Sequence, residues 1–113
     1  MEGKMKEGNR LDELYKLKAE ILQSLAHPIR LKIIDFLCNG EKCVCEIVRE
    51  VGGERTNISK HLSILLKADI LTRRKEGLKI YYKLKMPCAL NFLSCAEEII
   101  KKQVKARMAL IKK

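Results

Sequence analysis

The sequence predicts a mainly α-helical domain with one small β-hairpin. Three observations carry this. Two short helical runs, 43–51 and 56–68, are separated by Gly52-Gly53, the spacing of two helices that meet at a steep angle across a tight turn. Two strand-like runs, Leu71–Lys75 and Lys79–Leu84, follow on either side of Glu76-Gly77. Between residues 55 and 85, nine Lys/Arg stand against two acids, a net charge of +7. A polar-faced helix followed by a basic hairpin is the layout of a winged helix-turn-helix. One element can lie in a DNA groove while the other tracks phosphates.

Each element has its own signal. Residues 1–10 are polar and expected to be flexible. Leu11, Leu14, Ile21, Leu22 and Leu25 recur at a helical period. Ala26-His27-Pro28 interrupts that run, and Pro28 suits the first turn of a second helix. Ile29, Ile33, Phe36 and Leu37 mark its inner side, and Asn39-Gly40 ends it. The third helix turns Ile47, Val48 and Val51 inward. Thr56 or Asn57 can cap the fourth. That helix sets Ile58, Leu62, Leu65 and Leu66 on one side and Ser59, Ser63 and Lys67 on another.

In the hairpin, Ile80, Tyr82 and Leu84 alternate with Lys79, Tyr81 and Lys83, and Met86-Pro87 closes it. A last helix is expected from about Cys88 to Ile111, with a stripe of Leu93, Ala96, Ile100, Val104 and Ile111. A core built from 113 residues is too small to cover that stripe. Together with the first helix it reads as a dimer surface. The organisation is one domain, 1–113: helix-turn-helix at 43–68, wing at 71–85, dimerisation helix at 88–111.

Composition narrows the function. The chain is 47% apolar and 34% charged, as expected of a folded domain. No run approaches the roughly 18 apolar residues of a membrane span. The N-terminus mixes Lys, Glu and Gly without an apolar block, so no signal peptide and a cytoplasmic location are expected. The net charge of +10 is concentrated in residues 55–85 and in 99–113, the latter carrying +6. A polyanion is the natural partner for such a field; with the helix-and-wing layout, double-stranded DNA is the partner expected, and no membrane. An enzyme is not expected. The two histidines, His27 and His61, have no acid–base partner or phosphate loop at useful spacing.

The five cysteines are Cys38, Cys43, Cys45, Cys88 and Cys95. An odd number argues against a disulfide framework. Cys38, beside Leu37, reads as a small core residue. Cys43-Val44-Cys45 places two thiols at a helix start, where the helix dipole favours the thiolate. Thiolates bind soft ions. Two of them leave a trigonal or tetrahedral ion incomplete, so a third ligand must come from elsewhere. Cys88 and Cys95 are the candidates. Seven residues apart, they would share a helix face about 10 Å apart along the axis. Each is better placed to meet a thiol of another element or another protomer.

The blocks Leu25-Ala26-His27-Pro28-Ile29-Arg30-Leu31 with Ile33, Ile58-Ser59-Lys60-His61-Leu62 with Leu65, Lys67-Ala68-Asp69-Ile70-Leu71 and Arg73-Arg74-Lys75-Glu76-Gly77 occur in this order. They resemble the arsenical-resistance repressor (ArsR/SmtB) family over roughly residues 20–86. The resemblance implies a homodimeric winged-helix repressor that needs no cofactor to bind operator DNA and releases it when an inducer binds. Carried over by position, the DNA contacts are Thr56, Asn57, Ser59, Lys60 and His61 on the reading helix. On the wing they are Arg73, Arg74, Lys75 and Lys79. The run Glu41–Ile47 resembles the metal-binding helix of the family's arsenical and soft-metal sensors, implying As(III), Cd(II) or Zn(II) as inducer. Two departures stand out. Val48 occupies the place of that motif's third Cys, and Asp69 occupies a position usually held by Gly. The last helix lacks the His and Asp from which other members build a zinc site. Two further readings stay open: a thiol-redox or reactive-sulfur-sensing repressor, and an inducer-independent DNA- or protein-binding module.

Overall fold

Helix α1 spans Glu7–Leu25 and α2 spans Pro28–Leu37. A two-residue strand β1 (Lys42–Cys43) leads into α3 (Val44–Val51), followed by α4 (Arg55–Lys67). Strands β2 (Leu71–Glu76) and β3 (Lys79–Leu84) form the hairpin, and α5 (Ala89–Ile111) ends the fold. The computed structural model describes residues 7–87 and 89–112.

Local chemistry sets the boundaries. His27 is the N-cap of α2: its backbone is extended, and its Nδ1 accepts the amide of Ile29 at 3.1 Å. Pro28 follows where no N–H is needed. Gly40, at φ 126°, turns the chain away after α2. Gly52 and Gly53 are both left-handed, at φ 84° and 98°, and reverse the chain between α3 and α4. Their turn is short enough that Glu54 takes the extended N-cap position and α4 begins at Arg55. Thr56 and Asn57, expected as caps, therefore lie inside the first turn. The start of α1 also differs from expectation. Residues 7–10 are helical, because adding a residue to an existing helix costs far less than starting one. Residues 1–6 lie outside the described residues.

The sheet has three strands rather than two, in the order β1-β3-β2, all antiparallel. Two residues are too few to show an alternating period, so β1 left no trace in the sequence pattern. It pairs Lys42 with Tyr82 and Cys43 with Tyr81.

The core lies between α2, α3, α4 and the base of the sheet. Ile33, Ile34, Leu37, Val44, Ile47, Ile58, Leu62, Leu65, Ile70, Leu71 and Tyr82 pack there. Each such side chain contributes about 1.5–3 kcal/mol when taken from water. Cys38, expected in this core, is exposed, and its thiol donates to the Asn39 Oδ1 at 3.7 Å. It stands one residue past Leu37, which rotates it beyond the buried arc of α2.

The outer helices project. The radius of gyration is 18.5 Å, against about 13 Å for a compact domain of this length. Leu11, Leu14, Ile21 and Leu22 of α1, and Ile100, Val104, Met108 and Ile111 of α5, are all exposed. No helix among the described residues is long and apolar enough to cross a membrane.

Candidate nucleic-acid interface and thiol site

Because Ile58, Leu62 and Leu65 are buried at helical spacing, the polar residues of α4 face outward. Arg55, Thr56, Ser59, Lys60 and Ser63 line one shallow surface groove, and Asn57 beside them is exposed. His61 does not join them. It follows Ile58 by three residues, on the core side, and is only 8% exposed. Its ring packs 4.3 Å from that of His27, and its Nδ1 accepts from the Arg30 Nε at 3.2 Å. Burial, then the charges of His27 and Arg30, holds its pKa below the ordinary histidine value. The expectation that His61 touches a base is therefore corrected: it ties the reading helix to α2.

The wing is exposed at every β2 position after Leu71, and Arg73, Arg74, Lys75 and Lys79 all face solvent. Arg74 is the most constrained of them. Its Nε and Nη2 donate to the two carboxylate oxygens of Glu41 at 2.9 and 2.8 Å. Its Nη1 lies 3.3 Å from Glu76, and its guanidinium sits 4.7 Å from the centre of the Tyr81 ring. The fork holds Glu41 below the usual carboxylate range and raises Arg74 further. Sequence reasoning missed Glu41 because its partner is 33 residues away. An acid two residues before the thiol motif was the one available signal.

The thiols meet at the β1–α3 junction. The Cys43 Sγ and Cys45 Sγ are 2.9 Å apart; Cys43 is buried and Cys45 exposed. The Cys43 amide donates to the Glu46 Oε1 at 3.0 Å, which fixes the first turn of α3. The hydrogen bond to Cys45, followed by burial, pushes the Cys43 thiol up. The same contact holds the Cys45 thiol down, with the charge of Lys79 on the wing adding to the effect. The pair thus sets a buried thiol whose pKa is raised beside an exposed one whose pKa is lowered. Among the described residues no three Cys, His, Asp or Glu side chains form a group that could hold a metal. Exposed Cys95 does not complete one with Cys43 and Cys45 within the protomer. Cys88 lies outside the described residues.

A short helix, a tight turn, a polar-faced second helix and a basic hairpin define a winged helix-turn-helix DNA-binding domain. The bacterial regulatory protein arsR family matches residues 27–73. An uncharacterized HTH-type transcriptional regulator of Mycobacterium tuberculosis, Rv0081, is 32% identical over 101 residues, covering 88% of this chain and 89% of its own. The crystal structure of Rv0081 superposes with a TM-score of 0.72, covering 84% of this chain and 96% of that one. An arsenical resistance operon repressor of Staphylococcus xylosus is 36% identical over 70 residues, 62% of this chain and 67% of its own. The chain belongs to the ArsR family of DNA-binding transcriptional regulators, and it is not an enzyme.

Proposed function

We propose that this chain is a homodimeric, cytoplasmic transcriptional repressor that leaves its operator when a soft metal or metalloid ion takes Cys43 and Cys45. The observation that carries this is the 2.9 Å approach of two sulfurs at the first turn of α3, the leading helix of the DNA-reading unit. Relatives named as arsenical and mercury resistance operon repressors support it. As(III), Cd(II) and Zn(II) are the ions considered, and a third donor would come from Cys88 or Cys95 of either protomer.

On DNA, Thr56, Asn57, Ser59 and Lys60 reach base edges and phosphates from α4, and Arg73, Arg74, Lys75 and Lys79 neutralise phosphates from the wing. Holding an ion requires both sulfurs as thiolates, turned toward one point. Cys43 is also the N-cap residue of α3 and part of β1. Any change in its pose therefore reaches α3, and through the shared core of Ile47, Ile58 and Leu62 it reaches α4. Two reading helices tilted this way no longer match successive grooves of one duplex.

A second reading, oxidation of the same thiols, is favoured by the same 2.9 Å approach, since two sulfurs that close can join each other without a third donor. Titration of the reduced protein on its operator separates the two. Release by arsenite, cadmium or zinc under strict reduction supports ion sensing. Release only by hydroperoxide or polysulfide supports redox sensing. Operator binding indifferent to all of them, and to replacing Cys43 and Cys45 with Ser, would leave an inducer-independent module.

A further inference from the structure

Cys43, Tyr81 and Arg74 occupy one rung of the three-stranded sheet. Cys43 is the register partner of Tyr81 on one side, and Arg74 is its partner on the other. The rung is closed a second time by the bidentate Glu41–Arg74 pair, and Glu41 stands immediately before β1. The Arg74 guanidinium lies over the Tyr81 ring. The buried thiol and a wing arginine are therefore linked twice, once through strand pairing and once through a side-chain fork. We propose that this rung makes the wing part of the thiol sensor, with Glu41 acting as the positioning residue that transmits the state of Cys43 to Arg74. The inference rests on the sensor reading above and names the route its signal takes to DNA.

The physical argument is one of short lever arms. When both sulfurs are drawn to one ion, the backbone at Cys43 shifts. Glu41 lies two residues upstream and moves with it. A guanidinium held by two parallel hydrogen bonds follows its carboxylate or loses both bonds. In either case its pose over Tyr81 changes, and the phosphate contact from that point of the wing changes with it. Lys79, whose charge acts on Cys45, sits on the same hairpin.

Glu41→Gln keeps the size of the side chain, removes the charged fork and touches neither thiol. Tyr81→Leu removes the ring but keeps an apolar residue on the strand. Operator affinity is measured with and without cadmium, under reduction, for the native protein and both variants. Cadmium occupancy is followed separately by thiolate charge-transfer absorption. For the native protein the affinity ratio should lie in the range of about 5–150-fold typical of allosteric coupling. In E41Q it should fall several-fold toward one while cadmium binding persists, with Y81L behaving alike. A native ratio of one overturns the sensor reading itself. A native response with an unchanged ratio in E41Q overturns only the transmission route. Loss of cadmium binding in E41Q also overturns it, by placing Glu41 in the thiol site.

Discussion

The Nε of Arg30 donates to the Nδ1 of His61 across 3.2 Å, joining α2 to the reading helix. The same guanidinium reaches the carbonyl of Ser24 at 2.8 Å, in the last turn of α1. His27, stacked against His61, uses its own Nδ1 to cap α2. Each imidazole accepts a hydrogen bond at its Nδ1. One arginine and two histidines thereby link α1, α2 and α4.

This arrangement makes stability depend on pH. The folded state holds the His61 proton less tightly than the unfolded chain does, because of burial and then the neighbouring His27 and Arg30. The unfolded state binds more protons below the ordinary histidine value of 6.5, so stability must fall as pH drops from there toward the depressed folded value. It is fully present above that window. Thermal unfolding across pH 7 to 5 (an interval set around the usual histidine range) should show the loss. His61→Leu should flatten the slope while costing about 1–3 kcal/mol near neutrality for the orphaned Arg30 donor. An identical slope in that variant would remove His61 as the source.

Periodic apolar spacing was enough to place all five helices and the wing, because Ile33, Ile58, Leu62 and Tyr82 repeat at the intervals their elements impose. Local patterns also pointed to Pro28, the glycine turn and the outward stripe Ser59–Ser63. Pairings across the chain were not visible. The link from Glu41 to Arg74, the strand formed by Lys42 and Cys43, and the inward turn of His61 each depend on what a distant element presents. For His61 the sequence left a place at the edge of the core open beside base contact, and only the packing of His27 and Arg30 decides between them.

Asp69 offers a backbone test. It is the one described non-glycine residue at positive φ, 61°, and its amide bonds to the Leu66 carbonyl at the end of α4. A left-handed residue carrying a Cβ costs roughly 1–2 kcal/mol, less for Asp than for most. Asp69→Gly should therefore raise stability by up to about 1 kcal/mol. Loss of the exposed Lys85 contact at 3.6 Å offsets little of this. Asp69→Ala should lower stability by about 1 kcal/mol. Denaturant midpoints at constant slope would check both, and a stabilised alanine variant would contradict the strain argument.

Lys60 and Arg73 are exposed on the two halves of the proposed DNA surface and stand outside the Glu41 fork. Replacing either with Ala should weaken binding about equally on operator and unrelated duplex. Each should also reduce the slope of log affinity against log salt by about 1. Asn57→Ala should act differently, costing about 1–3 kcal/mol on the operator alone if it reads a base edge. Binding measured at several salt concentrations on both duplexes distinguishes phosphate from base contacts. A salt slope untouched by Lys60→Ala would move the interface off α4.

The exposed apolar faces of α1 and α5 give the last test. Val104 is 52% exposed and Ile100 54%, one helical turn apart on a helix that continues well past the core. Leu22 and Phe92 border an apolar crevice whose floor includes Leu31 and Ile34. Such a surface is stable in water only when another apolar surface covers it, and a second copy of the chain carries the same two faces. A charge placed at the centre of that contact would be buried unpaired, at a cost of several kcal/mol per ion. Val104→Asp should therefore yield a monomer at micromolar concentration by sedimentation. Its helical content should be unchanged, because Val104 is half-exposed and lies outside the apolar cluster formed by the described residues. Operator affinity should fall far more than it does for Lys60→Ala, since losing the partner removes a whole half-site of contacts at once. A V104D protein that still sediments as a dimer would place the shared surface elsewhere on the fold.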